Sequence, residues 1–156
     1  MTSRAVIDTP LGTAILEGDE KGLISLSLSE ENPGEINPEI LRHAVVQLRE
    51  YFEGTRKEFD LPLNPQGTDF QKRVWELLLE IPFGSTCSYM DLAKQYGDPK
   101  AIRAIASANG KNPLWILVPC HRVIGSDGSL TGYAGGLWRK KWLLDHENPS
   151  TQQSLF

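Results

Sequence analysis

Apolar and polar residues alternate along the first part of the chain, as in Ser25-Leu26-Ser27-Leu28, and glycines interrupt the pattern at Gly12, Gly18 and Gly22. A period of two places the apolar side chains on one face of a β-strand. Glycine between such runs is typical of a hairpin turn. Residues 4–29 are therefore predicted to form two or three short antiparallel strands.

The pattern changes to helical spacing between Pro38 and Tyr51, and Gly54 ends the run. Apolar residues recur there every three or four positions, namely at Ile40, Leu41, Ala44, Val45, Leu48, Tyr51 and Phe52. A short antiparallel sheet followed by a helix predicts an α/β N-terminal subdomain over residues 1–60. Two prolines and a glycine mark residues 61–67 as a linker.

The second part of the chain is predicted to be mainly α-helical. Thr68 is a candidate N-cap for a helix that ends near Pro82, with its buried face formed by Phe70, Val74, Trp75, Leu77 and Leu78. A last helix is predicted from Leu137 to His146, and Asn148-Pro149-Ser150 ends it. Residues 68–147 are therefore predicted to form the second domain, and residues 148–156 are expected to be a mobile tail.

Two short helices lie between these segments. Ser88 is placed to cap a helix over residues 89–96, and Gly97-Asp98-Pro99 separates it from a helix over residues 100–109. This arrangement predicts a helix-turn-helix. Small side chains cover much of the second helix (Ala101, Ala104, Ala106, Ser107, Ala108). Either a DNA groove or another helix could approach such a surface closely.

Charge is distributed unevenly along the chain, although the total is −4. Residues 1–64 hold 6 Lys and Arg against 12 Asp and Glu, and residues 94–122 hold 5 Lys and Arg against Asp98 alone. Local charge determines how a surface meets a phosphate backbone. The basic stretch therefore allows DNA binding, although charge alone would equally fit a solvated face.

The composition argues against a membrane-spanning protein, a secreted disulfide-rich protein and a zinc protein. No apolar run approaches the ~20 residues that cross a bilayer, and the N-terminal residues carry no secretory signal pattern. Two cysteines are too few for a disulfide framework, and the Cys and His residues lack the spacing of a zinc site. These features predict a cytoplasmic protein without a metal and without a membrane-spanning segment.

Cys120 and His121 are adjacent in the sequence and are candidates for a nucleophile and its base. A thiol becomes nucleophilic as the thiolate, which a neighbouring histidine promotes. The pair alone would also fit a buried structural cysteine. Because neighbouring side chains usually point apart, His121 is expected to act on Cys120 through a bridging water.

The longer segment Pro119-Cys120-His121-Arg122-Val123-Ile124-Gly125 resembles the active-site signature of the O6-alkylguanine-DNA alkyltransferases. Further segments match the same family in order and spacing over residues 68–147. They are Ile81-Pro82-Phe83-Gly84, Ser88-Tyr89, Pro99 to Ala104, Asn112-Pro113, Tyr133-Ala134-Gly135-Gly136, and Leu143 to Glu147. Residues 1–60 agree with the family only in type.

The resemblance implies a DNA-repair reaction that needs no cofactor. Cys120 would accept the alkyl group from O6-alkylguanine, and O4-alkylthymine would be a further substrate. His121 would take the thiol proton, Glu147 would orient His121, and Asn112 would hold the turn around Cys120. The product is a stable thioether, so each molecule would act once.

The resemblance also implies how DNA is bound. The recognition helix, including Arg103 and Ala104, would enter the minor groove of double-stranded DNA, with Arg103 filling the space left by the flipped nucleotide. Tyr89 would help to rotate the base outward and donate a proton to the leaving guanine. Flipping is required because a stacked base cannot reach a buried thiol. The base pocket would be lined by Val123, Tyr133, Ala134, Gly135 and Gly136.

Two positions depart from the family pattern. Ala134 stands where many relatives have serine, so a hydroxyl contact to the base would be lost. Trp115 stands where some relatives have a smaller residue. Either it borders the space for the alkyl group, where it would disfavour bulky adducts, or it is only a core residue.

Three other functions would use some of the same sequence features. An alkyltransferase-like protein binds damaged bases without repairing them, but that group lacks the acceptor cysteine that Cys120 supplies. A cysteine hydrolase would need an oxyanion hole and a turnover step, and no signature for one is present. A helix-turn-helix regulator with an incidental cysteine would bind undamaged DNA sequence-specifically.

The final residues, Gln152-Gln153-Ser154-Leu155-Phe156, resemble the peptides with which bacterial repair and replication proteins bind the sliding clamp. Leu155 and Phe156 would enter an apolar pocket while Gln152 makes polar contacts. The alternatives are that these residues fold back on the domain or match by chance. The protein itself is expected to be a monomer.

Overall fold

The structure is a computed structural model that describes residues 2–30, 41–128, 133 and 136–148. It opens with three antiparallel strands in the order β1 (Ser3–Thr9), β2 (Gly12–Asp19) and β3 (Gly22–Leu28). The predicted alternation determines which side chains are buried, and Ala5, Ile7, Ala14, Leu16 and Leu26 lie on the covered face. The predicted hairpin strands of the N-terminal part are confirmed.

Helix α1 (Arg42–Glu53) follows the sheet and buries Ala44, Leu48 and Tyr51. It ends at Gly54, which adopts a left-handed conformation with φ of 87°. Glycine takes this conformation without the steric cost that a Cβ atom would add. The predicted start of this helix at Pro38 lies outside the described residues.

By its internal contacts the chain divides into two units, with the boundary between Gln66 and Gly67. The first unit also contains a later segment, Pro113–Leu117, which the sequence analysis did not place there. Leu26 of β3 donates its N–H to the Pro113 carbonyl (2.9 Å) and accepts the Trp115 N–H (3.1 Å). This segment therefore lies against the edge of the three-stranded sheet.

The second unit opens with α2 (Asp69–Leu79), as the Thr68 signal predicts. The Thr68 hydroxyl accepts the Gln71 N–H, and the Gln71 side chain accepts the Thr68 N–H, so a reciprocal capping box starts the helix. The Trp75 indole donates to the Ala108 carbonyl at 2.9 Å. That buried bond fixes α2 against a later helix, α4 (Ile102–Gly110).

Helix α3 (Tyr89–Tyr96) begins at the predicted cap Ser88 and ends at Gly97, whose φ is 105°. The next predicted helix differs in its first turn. Pro99–Ala101 is a 3₁₀ turn, because the Asp98 side chain accepts the Lys100 N–H and the Asp98 carbonyl accepts the Ala101 N–H three residues on. Regular α-helix starts only at α4. The helix-turn-helix architecture is otherwise as predicted.

Two further elements complete the second unit. A pair of two-residue parallel strands, β4 (Cys87–Ser88) and β5 (Val123–Ile124), was not predicted. Helix α5 (Leu137–Glu147) extends one residue beyond its predicted end. Among the described helices, none combines the length and apolar character needed to cross a membrane.

Candidate active site

Cys120 opens a 3₁₀ turn that continues to Arg122, and only 8% of its surface is exposed. Its N–H donates to the Val118 carbonyl at 2.8 Å. The Asn112 side chain donates to the same carbonyl at 2.7 Å. Asn112 thus ties the end of α4 to the chain just before Cys120. Its role in holding the turn around Cys120 stays a prediction from the family resemblance.

His121 and Glu147 meet in the interior of the second unit. Nε2 of His121 lies 2.7 Å from Oε2 of Glu147, and both side chains are almost completely buried. Burial alone would favour neutral Glu147, but His121 and Arg122 hold the pKa of this carboxyl far below its usual range. Burial lowers the pKa of His121 despite the carboxylate beside it.

These pKa directions determine where the His121 proton resides. The ionised Glu147 can only accept a hydrogen bond, so Nε2 of the neutral ring must donate. Nδ1 then carries the lone pair. Within the described part of the chain, Nδ1 is buried and has no hydrogen-bond partner. His121 is therefore set as a neutral base whose free nitrogen is Nδ1.

Arg122 completes this cluster, although the sequence analysis gave it no role in the chemistry. Its Nε donates to Oε1 of Glu147 (2.8 Å), and its Nη2 donates to Oε2 (3.0 Å). Its Nη1 donates to the Ile81 carbonyl at 2.7 Å. Through this forked pairing the positive charge of Arg122 balances the negative charge of ionised Glu147. The two bonds also fix the plane of the carboxylate against His121.

Lys140 is a second residue that the sequence analysis missed. Its side chain is fully buried, and burial lowers its pKa to about 8 despite an attractive interaction with Cys120. Its Nζ lies 6.0 Å from the ring centroid of Tyr89. Lys140 therefore supplies a positive charge, near both Cys120 and Tyr89, that can be present or absent close to neutral pH.

Burial raises the pKa of the Cys120 thiol. Four groups act in the opposite direction: the Asn112 side chain, the Lys140 charge, the backbone N–H of Cys120 and the Tyr133 hydroxyl. The thiol is thus kept protonated by its surroundings, while several groups are positioned to stabilise a thiolate. Such a site suits a nucleophile that is deprotonated only during reaction.

Cys87 offers a comparison. It is half-buried, and burial together with the nearby Asp91 charge raises the pKa of its thiol to about 11. A carboxylate repels a thiolate, so the Asp91 charge acts in the same direction as burial. Cys87 therefore has the surroundings of an unreactive thiol.

The residues predicted to contact DNA fall into an exposed and a buried group. Arg103 and Ala104 are exposed on α4, and Tyr89 is half-buried at the start of α3. Val123 is completely buried on β5. These positions place α4 as an accessible helix, while Val123 lies three residues after Cys120 in the interior.

The loop predicted to line the base pocket is described only at its two ends. The Gly136 N–H donates to the Tyr133 carbonyl at 2.9 Å, and Gly136 has a positive φ of 92°. Ala134 and Gly135 lie outside the described residues. Trp115 is buried in the first unit, and its predicted relation to the alkyl group stays a prediction.

No three His, Cys, Asp or Glu side chains in the described ranges are grouped as metal ligands would be. The groups that the site itself brings together are a thiol, a neutral imidazole, a buried carboxylate and a buried ammonium. Together they can deprotonate a nucleophilic sulfur and stabilise its charge.

Comparison with known proteins gives two family matches. Residues 69–149 match the DNA-binding domain of 6-O-methylguanine DNA methyltransferase, and residues 3–65 match its ribonuclease-like domain. The methylated-DNA–protein-cysteine methyltransferase of Methanosarcina barkeri is 48% identical over 149 residues, which cover 91% of this chain and 94% of that protein. The protein of the same name from Mycobacterium bovis is 48% identical, covering 96% and 94%.

Solved structures agree with these matches. The O6-methylguanine methyltransferase of Mycobacterium tuberculosis superimposes with a TM-score of 0.83 at 45% identity, covering 96% of this chain and 94% of that one. The crystal structure of Mycobacterium tuberculosis OGT in complex with DNA gives a TM-score of 0.83 at 47% identity, covering 92% and 91%.

Proposed function

The chain belongs to the 6-O-methylguanine DNA methyltransferase family, and on that premise we propose that Cys120 is the acceptor. The protein is a DNA-repair enzyme that transfers an alkyl group from O6-alkylguanine in DNA to its own cysteine. The observation that supports Cys120 is the cluster around it. Nδ1 of His121 has no hydrogen-bond partner among the described residues, and Lys140 acts to lower the pKa of the Cys120 thiol.

The reaction follows from these groups. His121 takes the thiol proton at Nδ1 through a bridging water, and Lys140, Asn112 and Tyr133 stabilise the thiolate. Sγ of Cys120 then attacks the alkyl carbon, a C–S bond forms, and the bond from that carbon to O6 breaks. The electron pair stays on guanine, which takes a proton from the Tyr89 hydroxyl. Glu147 stabilises the imidazolium that results.

The thioether has no route back to a thiol among these residues, so we propose one transfer for each protein molecule. A direct test is to incubate the protein with duplex DNA containing O6-methylguanine, digest it, and measure the masses of its peptides by mass spectrometry. One methyl group on the peptide with Cys120 is the expected result. Methyl on the Cys87 peptide, or tight binding with no mass change, would contradict the assignment. O4-methylthymine DNA, tested in parallel, should react by the same step.

We propose that α4 enters the minor groove, because its small exposed side chains let the helix backbone approach closely. Arg103 would then fill the space left by the flipped base. Unstacking a base costs ~a few kcal/mol, and a free base does not incur that cost. Arg103→Ala should therefore slow repair of duplex DNA at least ten-fold while reaction with free O6-methylguanine base changes little.

The matched control for that comparison is Lys100→Ala, which removes an exposed charge from the adjoining turn. It should weaken DNA binding modestly and leave the ratio of the two rates unchanged. Equal slowing of both substrates by Arg103→Ala would show that Arg103 supports the fold or the chemistry instead.

Trp115 leads to a prediction about adduct size. If its indole fills space that a smaller residue leaves open, methyl adducts should react well and benzyl adducts poorly. Trp115→Ala should then raise the benzyl rate relative to the methyl rate by about ten-fold, the lower end of what one pocket change contributes. Efficient reaction of the unmutated protein with benzylguanine would contradict this prediction.

We further propose that the C-terminal residues Gln152, Leu155 and Phe156, which lie outside the described residues, bind the sliding clamp. The proposal is supported by the resemblance of these residues to clamp-binding peptides. Binding to the clamp would deliver the enzyme to newly replicated DNA. A synthetic peptide of residues 148–156 should bind a bacterial clamp, and the Leu155→Ala/Phe156→Ala peptide should not. Absence of binding at high micromolar concentration would remove the proposal without affecting repair.

We also propose that the protein acts as a monomer in the cytoplasm, where a reducing environment keeps the Cys120 thiol free. Light scattering of the protein alone should give the mass of one chain. Cell fractionation should recover the protein in the cytosol, and recovery with the membrane or secreted fraction would contradict that location.

A further inference from the structure

Ile116 has an unusual backbone conformation. Its φ is 71°, and it is the one non-glycine residue with a positive φ in the described part of the chain. The Leu117 N–H donates to the Trp115 carbonyl at 2.8 Å. A bond between residues two apart, with a central φ near +75°, describes the rare and strained form of the γ-turn. A β-branched residue is especially disfavoured there, because its side chain crowds the backbone.

The strained turn is held on both sides by hydrogen bonds. Before it, Pro113 and Trp115 are bonded through their backbones to Leu26 of β3. After it, the Val118 carbonyl accepts the bond from the Asn112 side chain at 2.7 Å. The Ile116 side chain is itself buried, with 2% of its surface exposed. Strain persists only where the surroundings over-determine it, and these contacts do so at Ile116.

A second three-residue turn leads directly to the reactive sulfur. The Cys120 N–H donates to the Val118 carbonyl at 2.8 Å, and Pro119 has φ of −80° and ψ of 64°. That is the relaxed form of the γ-turn, and the proline ring fixes its φ. Two consecutive turns, one centred on Ile116 and one on Pro119, thus lead to Cys120. A change in the first turn would therefore displace the sulfur.

We infer that Ile116 is a positioning residue for alkyl transfer, because its positive-φ turn fixes where the chain delivers Cys120. The inference rests on the proposed role of Cys120 as acceptor. In-line attack requires the sulfur close to the alkyl carbon, and a displacement of about 1 Å can slow a reaction by 10²-fold. The strain at Ile116 is then retained because the geometry it produces is needed at Cys120.

Alanine and glycine at position 116 separate the backbone from the side chain. Both remove the buried side chain, but alanine still disfavours positive φ, whereas glycine adopts it freely. Ile116→Ala should therefore lower the single-turnover rate at saturating O6-methylguanine duplex about ten-fold or more, and Ile116→Gly should recover most of that loss. The Tm of the glycine variant should exceed that of the alanine variant by about 2–4 °C. DNA affinity should be unchanged in both.

Val118 provides the matched control, since it is buried two residues later and lacks a positive φ. There glycine should be both slower and less stable than alanine, the ordinary order. If Ile116→Gly is no faster than Ile116→Ala, Ile116 is only core and the inference fails. Should alanine leave the protein unfolded, Ile116→Leu keeps the volume without the β-branch. It should preserve rate and Tm under the inference, and lower both if Ile116 is only core.

Failure of the inference is distinct from failure of the proposed function. If the unmutated protein does not place a methyl group on Cys120, the acceptor assignment is wrong. If it does, and the glycine variant still shows no recovery, only the role of Ile116 is overturned.

Discussion

Cys120→Ser should abolish methyl transfer while leaving binding to O6-methylguanine duplex intact. A serine hydroxyl has about the same size as the thiol, so the turn and its bond to Val118 should persist. Its pKa lies far above that of a thiol, and the His121 base and the Lys140 charge cannot make it an equivalent nucleophile. Stoichiometric transfer should fall below detection in a single-turnover assay, and gel-shift affinity should change less than about three-fold.

Cys87→Ala is the internal control for that experiment, since Cys87 is the other thiol in the chain. Its raised pKa and the nearby Asp91 charge give it an unreactive environment, so full transfer is expected. Persistent transfer by Cys120→Ser, especially if lost again in the double variant, would move the acceptor to Cys87.

The elements that the sequence predicted well are those encoded by neighbouring residues. The capping boxes at Thr68 and Ser88 need only the residue three positions on, so the starts of α2 and α3 were readable. The pairing of β4 with β5 joins residues far apart in sequence, and strands of two residues leave no periodicity. The attachment of Pro113–Leu117 to β3 is equally non-local.

In the candidate active site, too, some residues were predicted and others were missed. Cys120, His121, Asn112 and Glu147 were identified through a family resemblance, and the structure brings His121 against Glu147. Their roles in the reaction stay predictions until tested. Lys140 was missed because it lies in a run of three basic residues, and nothing local distinguishes the buried one from its neighbours.

Helical phase offers a signal that could have identified Lys140. It lies three and four residues before Leu143 and Leu144, and seven before Glu147, on the face of α5 that turns inward. A lysine on a buried face is rare unless it has a partner. Arg122 gave no comparable signal, since its partner Glu147 is distant in sequence.

Glu147→Gln should damage both stability and catalysis. Arg122 is buried against this carboxylate through two bonds of 2.8 and 3.0 Å, and removing one partner of a buried ion pair typically costs about 3–5 kcal/mol. The amide can also donate to Nε2 of His121, which would move the ring proton to Nδ1 and remove the base. Loss of a general base slows reactions about 10²–10⁴-fold. The single-turnover rate of the variant should be measured at a temperature below its lowered Tm.

Asp145→Asn is the matched control on the same helix. Its carboxylate pairs with Lys141 at 3.3 Å and is partly exposed, and such pairs contribute about 0–1 kcal/mol. It should therefore leave rate and Tm nearly unchanged. Similar losses in both variants would mean that α5, rather than the Glu147 charge, is at fault.

The Glu147 contribution should also depend on pH in a defined direction. The folded state holds the pKa of this carboxyl far below its usual range, so ionised Glu147 stabilises the protein fully above the unfolded pKa, which is about 4.3. As the pH falls below that value, the unfolded state binds a proton that the folded state does not, and the stabilisation is lost.

The difference in unfolding free energy between the protein and Glu147→Gln, measured by urea titration, should be constant above about pH 5.5 and shrink below about pH 4. A difference that stays constant into acid would show that lost packing, not lost charge, accounts for the destabilisation.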